Sequence, residues 1–137
     1  MPTEVQKVIT ALNKFSTDLI KQLVIESTAE VVKRTPIDTG WARANWIPSI
    51  GQSIAETTGQ QEAVTTSRQE AGIAEVLTSY TLNRGNLFIT NNVPYINKLN
   101  EGTSTQAPAG FVQQSIARAI KRVITKRIQT GTADKVI

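Results

Sequence analysis

The 137-residue chain has no cysteine and no histidine, and aromatic residues make up only 5% of it. Each absence removes a class of chemistry. Without cysteine no disulfide framework can form, and nothing points to a secreted scaffold. Zinc centres built on Cys or His are excluded, as are Ser–His–Asp and Cys–His nucleophiles and imidazole base catalysis near neutral pH. Carboxylates, Lys, Tyr or a hard metal held by oxygens are what remain. With so few aromatics any core is expected to be mostly aliphatic, built from Ile, Val, Leu and Ala. No apolar run approaches the roughly 20 residues that span a bilayer. The start, Met1-Pro2-Thr3-Glu4, has no apolar stretch of the signal-peptide kind. The sequence therefore reads as a soluble chain made in a cytoplasm, with no membrane partner.

What is present is basic. The net charge is +4, and it is uneven. From Phe111 onward there are six basic residues and one acid, whereas the rest of the chain has nine and ten. The C-terminal cations suit either a solvated helix face or contact with a nucleic acid or an acidic protein.

The apolar pattern divides the chain. Val5, Val8, Ile9, Leu12, Phe15, Leu19 and Leu23 recur at three- and four-residue steps, which predicts a long helix over about Thr3–Lys33. Thr3 and Gln6 form a candidate capping box, and Pro36 ends the helix by disfavouring helical geometry at Thr35. Asp38 or Thr39 can cap a short turn holding Ala42, Arg43 and Ala44. Trp46–Gly51 reads as a strand, with Pro48 placing it at a sheet edge. Gln52–Arg68 has no periodicity and is expected to be a flexible loop. Glu70–Thr81 reads as a helix with Ile73, Ala74, Leu77 and Tyr80 (or Val76) inward, although Gly72 weakens it. A turn at Asn83–Asn86 leads into a strand, Leu87–Thr90. Tyr95–Asn100 is a short helix with Ile96 and Leu99 inward. Pro108 opens the last helix, with Val112, Ile116, Ala119, Ile120, Val123 and Ile124 as its apolar stripe. Thr130–Ile137 is expected to be a loose tail. The fold class is α+β: a long N-terminal helix, a small, mostly antiparallel sheet and a C-terminal amphipathic helix in one domain.

Catalytic patterns are sparse. Asp38-Thr39-Gly40 matches the aspartic-protease tripeptide, but that mechanism needs two carboxylates sharing a proton. Here the tripeptide follows a helix and a proline, and Trp41 follows it, so a cap and tight turn is the better reading. Glu26 and Glu30 stand at helical spacing and read as a solvated face. Neither the P-loop nor the dinucleotide fingerprint occurs. The chain is expected to be no enzyme and to need no cofactor or metal. Arg118, Lys121, Arg122, Lys126 and Arg127 lie on one helix, where they suit salt-sensitive phosphate contacts. No aromatics are interleaved for base stacking. A small nucleic-acid-binding module acting through this helix is the alternative.

Two segments carry a resemblance. Thr35, Pro36, Asp38, Thr39 and Gly40, followed by Arg43 and Trp46, are similar to the TPxDTG…R…W signature of the neck and tail-completion proteins of tailed bacteriophages. Asn91, Asn92, Pro94 and Tyr95, then Glu101 and Gly102, then Gln106, Pro108 and Gly110, resemble that family's second signature. The order and spacing of both agree over about Val32–Ile116. Two departures are Trp41, where polar or basic residues are common, and Gln52–Arg68, which has no motif content. The resemblance implies a structural virion protein, assembled in the host cytoplasm as a homo-oligomer, a hexameric ring at the head–tail junction or top of the tail. Its partners would be other neck, connector and tail-tube or terminator proteins, with non-specific contact to genomic DNA in the channel.

Further expectations concern single groups. Gly40 and Gly102 can supply turn geometries that side chains resist. Asn91 and Asn92 can bond local backbone. Arg43 can pair with Asp38 or Glu101, and Glu101 would tie the two motifs together. Subunit contacts are expected through the first helix, a sheet edge and the middle loop. Charge reversal at Arg118, Lys121 and Arg122 is expected to spoil joining while sparing the fold.

Overall fold

The computed structural model describes residues 1–37, 40–57 and 64–129. Helix α1 runs from Glu4 to Arg34, with the capping box in place: Thr3 accepts from the Gln6 amide while the Gln6 side chain accepts from the Thr3 amide. It stops where Pro36 forces Thr35 into extended geometry. A single turn, α2 (Trp41–Ala44), leads into strand β1 (Ile47–Ile50). Helix α3 (Ser67–Ser79), a 3₁₀ turn (Leu82–Arg84), strand β2 (Leu87–Thr90), helix α4 (Ile96–Asn100) and helix α5 (Phe111–Gln129) follow. The chain is α+β, with a long N-terminal helix, a two-stranded antiparallel sheet and a C-terminal helix.

The sheet explains how Pro48 fits. Ile47 pairs with Thr90, Pro48 with Ile89, Ser49 with Phe88 and Ile50 with Leu87. The Gly51 amide donates to the Asn86 carbonyl at 2.7 Å, which makes that pair hydrogen-bonded. Pairs alternate in an antiparallel ladder, so Pro48 falls at a position where no N–H is needed. Its carbonyl points away from β2 and toward α3. A Cβ on Gly72 would lie 2.4 Å from that oxygen. Gly72, which weakens the helix on paper, is what lets α3 close off the outer side of β1. The expected exposed edge therefore narrows to β2, where no hydrogen bond among the described residues reaches the main chain of Leu87 or Ile89.

Val31, Trp46, Ala107 and Phe111 form the core, with Val32, Ile89, Ile96, Leu99 and Val112 packed around it. Helix α5 runs antiparallel along α1, since Arg122 meets Glu26 and Glu30 while Arg127 meets Gln22.

Several expectations need correction. Helix α3 begins at Ser67, so the loop is shorter than Gln52–Arg68; residues 58–63 lie outside the described residues. Its buried positions are Gln69, Gly72 and Val76, with Tyr80 at its end, whereas Leu77 and Ala74 face solvent. Helix α5 starts at Phe111, three residues after Pro108, because a turn with Gly110 at φ 77° intervenes. It buries Phe111, Ser115, Ala119 and Val123, not the column through Ile120 and Ile124. Small side chains let two helices approach closely, so Ser115 and Ala119 take the seam that hydrophobicity alone assigns to isoleucine. The N-cap of α2 is Gly40, with φ 77° and no side chain. Asp38, Thr39 and the expected tail from Thr130 lie outside the described residues.

Candidate functional site

The residues of the first signature gather at the end of α1. Thr35 is fully buried, and every polar atom it has is engaged. Its amide donates to the Val31 and Val32 carbonyls at 3.0 and 3.3 Å. Its hydroxyl donates to the Val31 carbonyl at 2.6 Å and accepts from the Trp46 indole N–H at 2.7 Å. Its carbonyl accepts from Arg43 Nε and Nη2 at 3.1 and 3.0 Å, and Nη2 also reaches the Lys33 carbonyl at 3.0 Å. Arg43 thus places a cation on the last carbonyls of α1, where the helix dipole favours it. The expected Arg43–Glu101 pair does not form; Glu101 is exposed, and its amide closes the last turn of α4. A main-chain sink for the guanidinium lies closer than the distant carboxylate.

The second signature closes over the first from the other half of the chain. Asn91 Nδ2 donates to the Ala42 carbonyl at 2.8 Å, and its Oδ1 accepts from the Val93 amide at 3.0 Å. Asn92 Nδ2 reaches the Ile54 carbonyl at 2.6 Å. Asn91 makes the expected bond to local backbone, at Val93, and both asparagines also reach across the fold. Tyr95, just after Pro94, meets Trp41 edge-to-face at 5.9 Å between ring centres. Gln106 Oε1 accepts from the Ile37 amide at 3.1 Å. Gly102 has φ 94° and lies so near Ala109 that a Cβ would come within 3.2 Å of its backbone. The Gly110 amide donates to the Asn100 carbonyl at 2.7 Å, and the Asn100 side chain accepts from the Val112 amide at 3.0 Å, capping α5. Ala107, beside Pro108, enters the core. The two signatures are therefore one connected structure.

Sequence reasoning missed Gln69, whose Nε2 donates to the Arg43 and Trp46 carbonyls at 3.0 Å each and ties α3 to the same knot. The polar composition around Gln69 concealed it. It also missed the clamp between α1 and α5. Arg122 meets Glu26 at 3.0 Å and Glu30 at 3.2 Å, and Arg34 meets Glu30 at 2.7 Å. Glu30 is only 5% exposed, so the expected solvated face is instead a seam. The Arg34 hydrogen bond, helped by Arg122, holds the Glu30 carboxyl below its ordinary value against the opposing effect of burial. Glu26 and Glu30 in turn raise the Arg122 guanidinium. The signal available in the sequence was the i, i+4 spacing of two acids opposite a basic helix.

The basic helix therefore divides. Arg122 is held in the clamp, and Arg127 bonds Gln22 at 2.8 Å and lies over the Phe15 ring at 5.4 Å. Arg118, Lys121 and Lys126 are exposed without such a partner among the described residues and, with Thr125, Gln129 and the outer side of Arg122, line an open groove on α5.

Among the described residues, exposed aliphatic side chains cluster on α1 and on α5. On the first turns of α1, Val5, Val8, Ile9 and Leu12 are 43–68% exposed. On α5, Ile120, Ile124 and Ile128 are 40–73% exposed. Among the described residues no group of three or more carboxylates could hold a metal ion, and no helix is long and apolar enough to cross a membrane. Comparison of the chain with protein-family models, with curated proteins and with solved structures found no match in any of the three.

Proposed function

We propose that this chain is a non-enzymatic structural subunit of a tailed-bacteriophage virion, one copy of a ring at the neck or top of the tail that is needed for tail completion and head–tail joining. The observation that carries this reading is how the motif residues are used. Thr35, Arg43, Trp46, Asn91, Tyr95 and Gln106 tie separate segments of the fold together through side-chain hydrogen bonds and a ring contact. Described motif residues thus serve as braces for a scaffold, while apolar helix faces remain at the surface, as befits a protein that acts by contact with others. The edge of β2, unpaired among the described residues, adds a further surface suited to strand pairing.

A phage lacking this gene tests the reading. Its lysates are expected to contain filled heads and separate tails, with joined particles restored when the protein is supplied. Normal virions from the deletion would overturn it. The alternative, a nucleic-acid-binding module, draws support from Arg118, Lys121 and Lys126, which face solvent on one helix. It requires tight DNA binding by the isolated protein that weakens steeply with salt.

A further inference from the structure

We infer that the exposed stripe on the first three turns of α1 seats against the Ile120–Ile124–Ile128 ridge of a second copy of this chain, in a head-to-tail contact. The inference rests on the assembly reading and names the surfaces that reading leaves open.

The geometry starts from unequal lengths. Helix α1 has 31 residues and α5 has 19, so at 1.5 Å per residue α1 is longer by about 18 Å. The helices are antiparallel, and Arg127 of the last turns of α5 already lies over Phe15. What precedes Phe15 is an overhang that no described part of α5 accompanies. Val5, Val8 and Leu12 continue on it the face that carries Phe15, Gln22 and Glu26 against α5. The seam thus runs on past its own partner.

The ridge on α5 is its counterpart. It is apolar, it ends beside the place where the overhang begins, and its length matches. Val5 to Leu12 spans about 10 Å of helix and Ile120 to Ile128 about 12 Å. Glu4, which Lys7 already meets at 3.2 Å, borders the stripe four residues before Val8, and Lys121 borders the ridge three residues before Ile124, so joining the faces offers that carboxylate a second cation at the rim. The two surfaces differ, so a copy that offers its stripe to one neighbour keeps its ridge for another, which is the requirement for a ring.

Size decides how the contact behaves. Each face exposes roughly 300–400 Å² of apolar surface, typical of a functional patch on a monomer. Together they fall short of the ~1,200 Å² of a stable pair. One joint alone is weak; joints repeated round a closed ring hold together.

The absence of native cysteine makes the test clean. Leu12→Cys and Ile124→Cys are prepared separately, with Thr78→Cys on exposed α3 as a collision control, and folding of each is checked by circular dichroism. The variants are mixed in pairs and oxidised. The expected result is a disulfide-linked band at twice the chain mass from the Leu12→Cys plus Ile124→Cys mixture, several-fold stronger than from either alone or from mixtures with Thr78→Cys. Equal yield from Leu12→Cys alone would mean that two overhangs pair with each other, and would overturn the inference. So would a mixed yield no higher than the control. Joining assays on phage carrying Leu12→Glu keep the two readings apart. Lost joining without the mixed crosslink leaves the assembly reading standing and moves the contact elsewhere; the crosslink with normal joining leaves the contact standing and removes the function.

Discussion

Glu30 shows how much one side chain can organise. It is a buried acid at the seam of two helices, with Arg34 on one oxygen and Arg122 on the other. Both partners favour the charged form, so the folded state holds its proton less tightly than the unfolded chain does. The resulting stability is complete above the ordinary carboxyl value of 4.5 and is lost as the pH falls through the lower folded value. Chemical denaturation between pH 7 and pH 3 is therefore expected to show a steep loss of stability below about pH 4.5 in the parent protein. Glu30→Gln should be less stable at neutral pH and show a shallower acid limb. Thr35 works differently: it is neutral, and it joins α1, the Arg43 turn and Trp46 through one hydroxyl and one carbonyl. Its neighbours in the chain did not reveal those partners, because a threonine before a proline looks like any helix end.

At the scale of elements, the sequence was informative where one physical rule acted alone. The three- and four-residue spacing gave α1, Pro36 gave its end, and β-forming Leu87–Thr90 gave β2. It was less informative where two rules competed. In α5 the largest apolar residues are not the buried ones, because Ser115 and Ala119 allow a closer approach to α1. The start of α3 was hidden because Ser67, Arg68 and Gln69 look like loop, although Gln69 is held inside by two carbonyls. Gly72 separates the rules in one experiment. Helix propensity alone says that alanine there should stabilise by about 1 kcal/mol. Packing says the opposite, since the new Cβ would meet the Pro48 carbonyl oxygen, a main-chain atom that cannot swing aside. Gly72→Ala is expected to destabilise by about 1–3 kcal/mol, measured by urea unfolding.

For the whole molecule, the cations of α5 are not one surface. The expectation that reversing Arg118, Lys121 and Arg122 together would spare the fold is corrected by the clamp. Arg122→Glu would set a third carboxylate against Glu26 and Glu30 and is expected to lower stability by about 2 kcal/mol or more. Lys121→Glu and Arg118→Glu, at solvent-facing positions, should each change it by less than about 0.5 kcal/mol. Thermal unfolding of the three single variants checks this. Only the two spared variants can then report on joining or on DNA contact without a folding artefact. The candidate site was legible in its residues and not in its wiring. Thr35, Arg43, Trp46, Asn91 and Gln106 were all picked out by the resemblance to the two signatures, but the amide and hydroxyl bonds that tie them into the fold run between positions up to 69 apart in the chain. Side-chain amides pair with any carbonyl within reach, so only the fold decides which.

The capping box at Thr3 and Gln6, with the Lys7–Glu4 pair beside it, has a consequence for how copies would meet. An overhanging helix end held by its own hydrogen bonds is shaped before any neighbour arrives. Docking then need not order a coil, and the conformational entropy that usually opposes association has already been lost on folding. A ready-made handle of this kind suits a part that waits alone until its place in a larger machine is vacant.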